Sequence, residues 1–218
     1  FLSATPDRSD YQENRIFKMF REGISIFTRK RVVNHTDLIL YDYDQGIDAK
    51  TIRRFQIQKG FSTMRYANYI AEHELMFENY FNMIKVLLEL YWGKKVVFTI
   101  PNNKLISMLA ERLKELIHDT DDTMIGIFNS TIPKKRRSAE LEKRIILTTD
   151  KSFEKSLNVL DMEVLINIVP FKSKPKTTQL IGRIRDVGTG NIFIDVGDIS
   201  IPKEHNLRRS TLKKEARK

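Results

Sequence analysis

The chain has 218 residues, 41% of them hydrophobic and 30% charged, with a formal net charge of +10. It contains no cysteine, which excludes disulfides and thiolate metal sites, and its 4 histidines (His35, His73, His118, His205) show no ligand spacing. No apolar run approaches the roughly 18 residues of a membrane span and nothing in the opening residues reads as a signal peptide, so the expectation is a soluble, intracellular globular protein with a polyanionic partner, most simply nucleic acid.

Phe1-Leu2-Ser3-Ala4-Thr5-Pro6 begins without methionine and reads as the end of a buried strand running into a loop, so the chain is expected to be the C-terminal piece of a longer protein. Asp7-Arg8-Ser9-Asp10 supplies capping residues for a helix over about Tyr11–Arg21, with Ile16, Phe17 and Phe20 on one face and Gly23 as its end. Thr36–Asp44 reads as a strand and the polar stretch around Gln45–Lys50 as a turn, while residues 51–63 fit neither period. Met64 to Leu90 is predicted helical in two pieces, with Phe77, Phe81, Ile84 and Leu88 on one stripe.

A regular alternation follows. Val96-Val97-Phe98-Thr99-Ile100 is a short buried strand closed by Pro101-Asn102-Asn103, and a helix runs on to about His118 with Leu105, Met108, Leu109, Leu116 and Ile117 inward. Strand Ile125–Phe128 precedes a basic helical stretch from Pro133 to Glu142; strands Ile145–Thr148 and Val164–Val169 come next, and Ile192–Val196 is the last. Residues 203–218 read as a basic tail, with Arg208, Arg209, Lys213, Lys214, Arg217 and Lys218 either adding electrostatic affinity or standing disordered. Short apolar strands alternating with helices predict an α/β fold: a parallel sheet in three layers, helices covering both faces.

Ligands of such sheets bind beyond the carboxyl ends of the strands. Thr99, Asn102, Asn129, Ser130, Thr148 and Thr149 fall there, together with the loop before Gln179. Small hydroxyl and amide groups at that rim suit phosphate and sugar contacts, or simply cap the helices that follow. The run Lys134-Lys135-Arg136-Arg137 is a phosphate-tracking patch, a nuclear-localisation signal or a solvated helix face. Tyr41, Tyr43, Phe77, Phe81 and Phe128 are assigned to the core and Trp92 to the cover of a helix end, so no aromatic platform for bases is expected. Gln179-Leu180-Ile181-Gly182-Arg183-Ile184-Arg185 presents a glutamine and two permanently charged guanidinium forks, with a glycine that allows close packing beneath.

The order of these stretches resembles that of the superfamily 2 helicases and translocases. Ser3-Ala4-Thr5 looks like their motif III, Val96–Asn102 is similar to motif IV, and Ile125–Ser130 with the basic residues after it resembles the next nucleic-acid-contacting segment. Ile146–Asn158 occupies the place of motif V and Gln179–Arg185 that of motif VI, with its Gln-x-x-Gly-Arg core. Only residues 45–75 and the tail have no counterpart, and the nearest flavour is that of phages and large DNA viruses. The resemblance implies a RecA-like fold, with residues 1–30 a remnant of a first RecA-like domain, 31–202 the second, and 203–218 the tail.

It also implies roles. Gln179, Arg183 and Arg185 would act on the outer phosphates of ATP, with Gly182, Ser156 and Asn158 lining the cleft. Ser3, Ala4 and Thr5 would couple domain closure to the track, and Thr99, Asn102, Asn129, Ser130, Thr148 and Thr149 would hold a DNA or RNA backbone. ATP and Mg2+ would be bound mainly by the first RecA-like domain, so this chain alone is expected not to hydrolyse ATP. Two positions depart from the family pattern: Lys155-Ser156-Leu157-Asn158 stands where Glu-Gly-Leu-Asp is usual, and Asp186 stands where motif VI places its second arginine, one place after Arg185. A non-catalytic module derived from such a domain, binding nucleic acid or protein, is the competing reading.

Overall fold

The computed structural model describes residues 36–58, 60–156, 159, 161–170, 180 and 191–215. Six strands form one sheet: β1 (Thr36–Tyr43), β4 (Val96–Ile100), β5 (Ile125–Phe128), β6 (Ile145–Thr149), β7 (Val164–Asn167) and β8 (Asn191–Asp198), in the order β1-β8-β7-β4-β6-β5. Every pairing is parallel. The central strand explains why: Val96, Val97, Phe98 and Ile100 are all fully buried, so both faces of the strand need cover, and a parallel sheet with crossover helices provides it. β2 (Gln56–Ile57) and β3 (Gly60–Phe61) make a separate small hairpin.

Side-chain alternation along the strands sorts the core into two layers. Val96, Phe98 and Ile100 point to the face covered by α2 (Thr63–Glu72), α3 (Glu74–Leu90) and α4 (Asn103–Ile117). Val97, Ile146, Leu165 and Phe193 point to the other face, where Phe153 of α6 (Asp150–Ser156), Leu212 of α7 (Pro202–Glu215) and Leu180 pack. The fold is therefore the expected three-layer α/β arrangement. The long helical stretch does break in two, at His73, whose extended backbone (φ −121°, ψ 110°) separates α2 from α3. Phe77, Phe81, Ile84 and Leu88 are buried, as their stripe predicts.

In α4 the inward face is Leu105, Ile106, Leu109, Ala110 and Leu113, while Leu116 is 39% exposed rather than inward. A 15-residue helix is about 22 Å long and a five-residue strand about 16 Å, so the helix outruns the sheet before Leu116. Tyr41 and Tyr43 are only partly buried, on the edge strand. α5 (Lys134–Glu142) lies against β5 at the other edge, and no Cβ would fit at Gly126, where it would stand 2.1 Å from the Glu140 carbonyl oxygen. Among the described residues no helix is long and apolar enough to cross a membrane.

Most of the stretch read as a basic tail is α7. The helix has no apolar stripe because much of its inner face is polar: His205, Arg208 and Thr211 are buried alongside Leu212, at helical spacing. Arg208 is fully buried, and its Nε lies 2.6 Å from Asp195 of β8. Arg209 reaches over Gly197 to Asp42 on β1, a path that a Cβ at 197 would obstruct at 2.3 Å from the guanidinium. These two arginines therefore hold the helix to the sheet.

Candidate nucleic-acid interface

Because all six strands run the same way, their carboxyl ends share one rim, and the polar residues singled out in the sequence gather near it at three depths. Thr99 and Thr148 are fully buried inside the sheet, side by side in register. Thr99 donates its hydroxyl to Asn167 Oδ1 (2.9 Å), and Thr148 donates to the Thr149 carbonyl (3.3 Å). Asn102 and Asn129 are one layer further out but still buried. Asn102 caps α4 by accepting from the Leu105 amide (2.9 Å) and donates to Asn68 Oδ1 (2.9 Å); Asn129 accepts from the amide and hydroxyl of Thr131 (3.0 and 2.6 Å).

Thr149 and Ser130 are outermost. Thr149 is half-buried and its hydroxyl accepts from the Ser152 amide (3.2 Å) in the first turn of α6. Ser130 is exposed, beside the exposed cations Lys134 and Lys135 that open α5. Lys151, exposed in the first turn of α6, brings a third positive charge to this stretch. A strand laid along the rim would thus meet Ser130, Thr149 and these lysines, while four of the six predicted contacts have their side chains turned to internal partners. Ser3, Ala4, Thr5, Asn158, Gln179, Gly182, Arg183 and Arg185 lie outside the described residues; Ser156 ends α6, and its side chain does too.

One feature of the site went unread in the sequence: a buried polar ladder that crosses the sheet. Thr99, Asn167 and Asp195 are register partners on β4, β7 and β8, and Asn167 Nδ2 donates to Asp195 Oδ1 (3.1 Å). Arg208 closes the ladder: besides Asp195, its guanidinium donates to the carbonyls of Val169 and Val196. It also faces His205 Nδ1 at 2.7 Å; burial, with the neighbouring Arg208 and Arg209 charges, depresses the imidazole to about 2, so His205 is neutral beside it. The signal was an asparagine and an aspartate interrupting otherwise apolar runs, Asn167 within Val164–Val169 and Asp195 within Ile192–Val196. Val169 is one residue short of the segment that leads to Gln179, so the ladder fixes the point from which that segment departs.

A second buried carboxylate, Asp198, ends β8. It accepts from Tyr66 Oη (2.9 Å), the Ser200 amide (2.9 Å) and the Gln45 amide (3.3 Å), yet burial still pushes its carboxyl above the ordinary range. Burial likewise raises the phenols of Tyr43 and Tyr66, which share a 2.9 Å hydrogen bond.

With this geometry in place, the comparison with solved structures is decisive for the fold. The chain superposes on S. cerevisiae Dbp5 bound to RNA and ADP BeF3 with a TM-score of 0.61 at 10% identity, covering 96% of this chain and 47% of that one. The C-terminal domain of the DEAD-box protein Dbp5 matches with a TM-score of 0.52 at 13% identity, covering 84% of this chain and 86% of that one. This is the fold of a second RecA-like domain.

A third likeness is the E. coli DEAD-box protein SrmB bound to regulator of ribonuclease activity A, with a TM-score of 0.53, 12% identity, and 84% and 87% of the two chains covered. No protein-family model matches the sequence, and no curated protein does. The RecA-like domain thus spans about half of the Dbp5 chain bound to RNA, and nothing in these likenesses supports a phage or viral type.

Proposed function

We propose that the chain is the second motor domain of an ATP-dependent helicase or translocase acting on RNA, and that it supplies half of the nucleic-acid track. The observation that carries this reading is the rim itself. A DEAD-box-like RecA sheet ends in Ser130, Thr149 and the exposed Lys134, Lys135 and Lys151, which is the chemistry for sequence-independent phosphate contacts. That the Dbp5 structure it resembles is bound to RNA favours RNA over DNA as the substrate.

In the full-length protein a first RecA-like domain would face this rim and hold most of ATP and Mg2+, with Ser3-Ala4-Thr5 at its boundary. From this chain Gln179 would orient the nucleotide and Arg183, helped by Arg185, would place a fixed positive fork on its outer phosphates, where charge develops during phosphoryl transfer. Gly182, Ser156 and Asn158 would line the same cleft. Thr99, Asn102, Asn129 and Thr148 support the track from beneath, each through an internal hydrogen bond that sets the loop above it.

The competing reading, a module that binds RNA or a protein without turning over ATP, draws on the Asp186 and Lys155-Ser156-Leu157-Asn158 departures. Nucleic-acid-stimulated ATPase of the full-length protein, run on RNA and DNA in parallel, separates the two. Arg183→Ala is expected to lower kcat by 10³-fold or more, the order of an arginine finger, with RNA affinity nearly unchanged. An unaltered rate refutes the motor assignment.

A further inference from the structure

Residues 45–75 carry none of the motifs of the helicase resemblance, yet they fold onto the same rim. α1 (Ala49–Arg54), the β2–β3 hairpin and α2 form a small module between β1 and α3. Three contacts fix where it sits. Thr63 Oγ1 donates to the Pro170 carbonyl just beyond β7 (3.0 Å), Asn68 accepts from Asn102 at the exit of β4 (2.9 Å), and Tyr66 donates to Asp198 at the end of β8 (2.9 Å). The module is also rigid within itself. Phe55, Phe61, Tyr66 and Tyr69 interlock with ring centroids 5.5 to 6.0 Å apart, and Asp48 caps α1 through the amides of Lys50 and Thr51.

Its outer surface is mostly basic, with carboxylates only at its two ends: Asp48, which caps α1, and Glu72, which ends α2 and pairs with Lys104. From Ala49 to Ala71 the sequence holds Lys50, Arg53, Arg54, Lys59 and Arg65 and not one aspartate or glutamate. Lys50, Arg53 and Arg54 stand at i, i+3 and i+4, on one side of α1, and Arg65 lies close by, its Nη1 donating to the Arg54 carbonyl (3.0 Å). All four are exposed, and no carboxylate among the described residues is within ion-pair distance of them. Elsewhere the surface cations are commonly neutralised: Lys94 by Glu163, Lys104 by Glu72, Arg112 by Glu78 and Lys114 by Asp122. Positive charge left unmatched on a pre-ordered platform attracts an external polyanion. Exposed Ile57 and Met64 (41% and 55%) belong to the same module and offer apolar contact to bases, which only an unpaired strand presents.

We infer that the α1–hairpin–α2 module is a second nucleic-acid contact, which takes the phosphates of a single strand as it leaves the rim near Asn102 and Pro170. This rests on the nucleic-acid reading of the rim and adds to it a surface on the far side from Lys134 and Lys135.

The test is salt-titrated fluorescence anisotropy of the whole chain with labelled oligouridylate and oligothymidylate. It compares wild type with Lys50→Gln/Arg53→Gln/Arg54→Gln, with Arg65→Gln, and with Lys134→Gln/Lys135→Gln. The triple variant is expected to flatten the log affinity–log salt slope by about 2 and to weaken binding at least about tenfold at 0.1 M salt, since each phosphate contact on a single strand contributes about 0.7 to the slope. Arg65→Gln shifts it in the same direction by less. Wild-type slope and affinity in the triple and Arg65 variants, with loss in Lys134→Gln/Lys135→Gln, would overturn the second contact and leave the track intact. No binding by the wild type to either probe would sink the track reading, and the second contact with it. Displacement of both oligonucleotides by polyglutamate at equal charge concentration would show the module to be an acidic-protein site instead.

Discussion

Arg208 shows how one buried charge can organise a domain. Removing a cation from water costs several kcal/mol, and here Asp195, two strand carbonyls and a neutral imidazole compensate. Truncation leaves Asp195 buried without its main partner, so Arg208→Ala should cost about 3–5 kcal/mol in urea denaturation. Arg208→Lys should recover little, because a point charge cannot reach a carboxylate and two carbonyls in fork geometry. Combining Arg208→Ala with Asp195→Asn should cost clearly less than the sum of the single changes. Asp119 is a different case. Burial pushes its carboxyl up, but the amides of Thr123, Met124 and Ile125 together outweigh this and hold it below the ordinary 3.8. A lowered folded value stabilises the protein above the ordinary one, and the stabilisation is lost as pH falls through the folded value. Asp119→Asn should therefore cost roughly 1–2 kcal/mol at neutral pH, with the gap to wild type closing below about pH 4 in denaturation series.

Among the elements, α5 has the most to do with the least apolar surface. It buries Glu140 rather than a hydrophobic stripe, and through it treats the exposed edge of the sheet: Glu140 accepts from the Ile127 amide (3.0 Å) and Lys143 donates to the Ile125 carbonyl (3.1 Å). β5 is an edge strand, and these groups would otherwise offer a template for another chain. The helix can approach this closely only because residue 126 lacks a Cβ. Gly126→Ala would meet backbone, the Glu140 carbonyl, and should cost about 2–3 kcal/mol by thermal or urea unfolding. Gly197→Ala would meet the far end of a flexible side chain, Arg209, which can shift slightly while keeping part of its pairing with Asp42 and Asp195, and should cost less, about 1 kcal/mol. Comparable losses at the two sites would mean that α5 is not held as described. Because α5 also presents Lys134 and Lys135, its seating bears directly on the proposed track.

At the scale of the whole molecule, the net charge of +10 is unevenly matched. Ion pairs hold many cations around the helices that flank the sheet, while unmatched ones stand at α5 on one side of the rim and at the α1–hairpin–α2 module on the other. Such an arrangement would steer a polyanion across the carboxyl ends of the strands. The chain spans 47% of the Dbp5 chain on which it superposes, so in the proposed reading it would supply one side of the cleft. The 218-residue chain by itself is accordingly expected to show no RNA-stimulated ATP turnover, and the full-length protein to show it, in a coupled phosphate-release assay.

The local pattern was enough for the architecture. A strand that is apolar at consecutive positions must be covered on both sides, so Val96–Ile100, Ile125–Phe128 and Ile145–Thr149 announced a parallel sheet with flanking helices, and the positions that follow them announced a rim. Ser130 and Thr149 could be placed on that rim for the same reason. The polar ladder, the docking of α7 and the seating of residues 45–75 could not be read this way. Each depends on a pair far apart in the chain: Thr99 with Asn167, Asp195 with Arg208, Tyr66 with Asp198. A polar residue in a linear sequence looks solvated until the fold brings its partner within 3 Å. Periodicity reports which side of an element is apolar, and only tertiary contact decides where a charge can be buried.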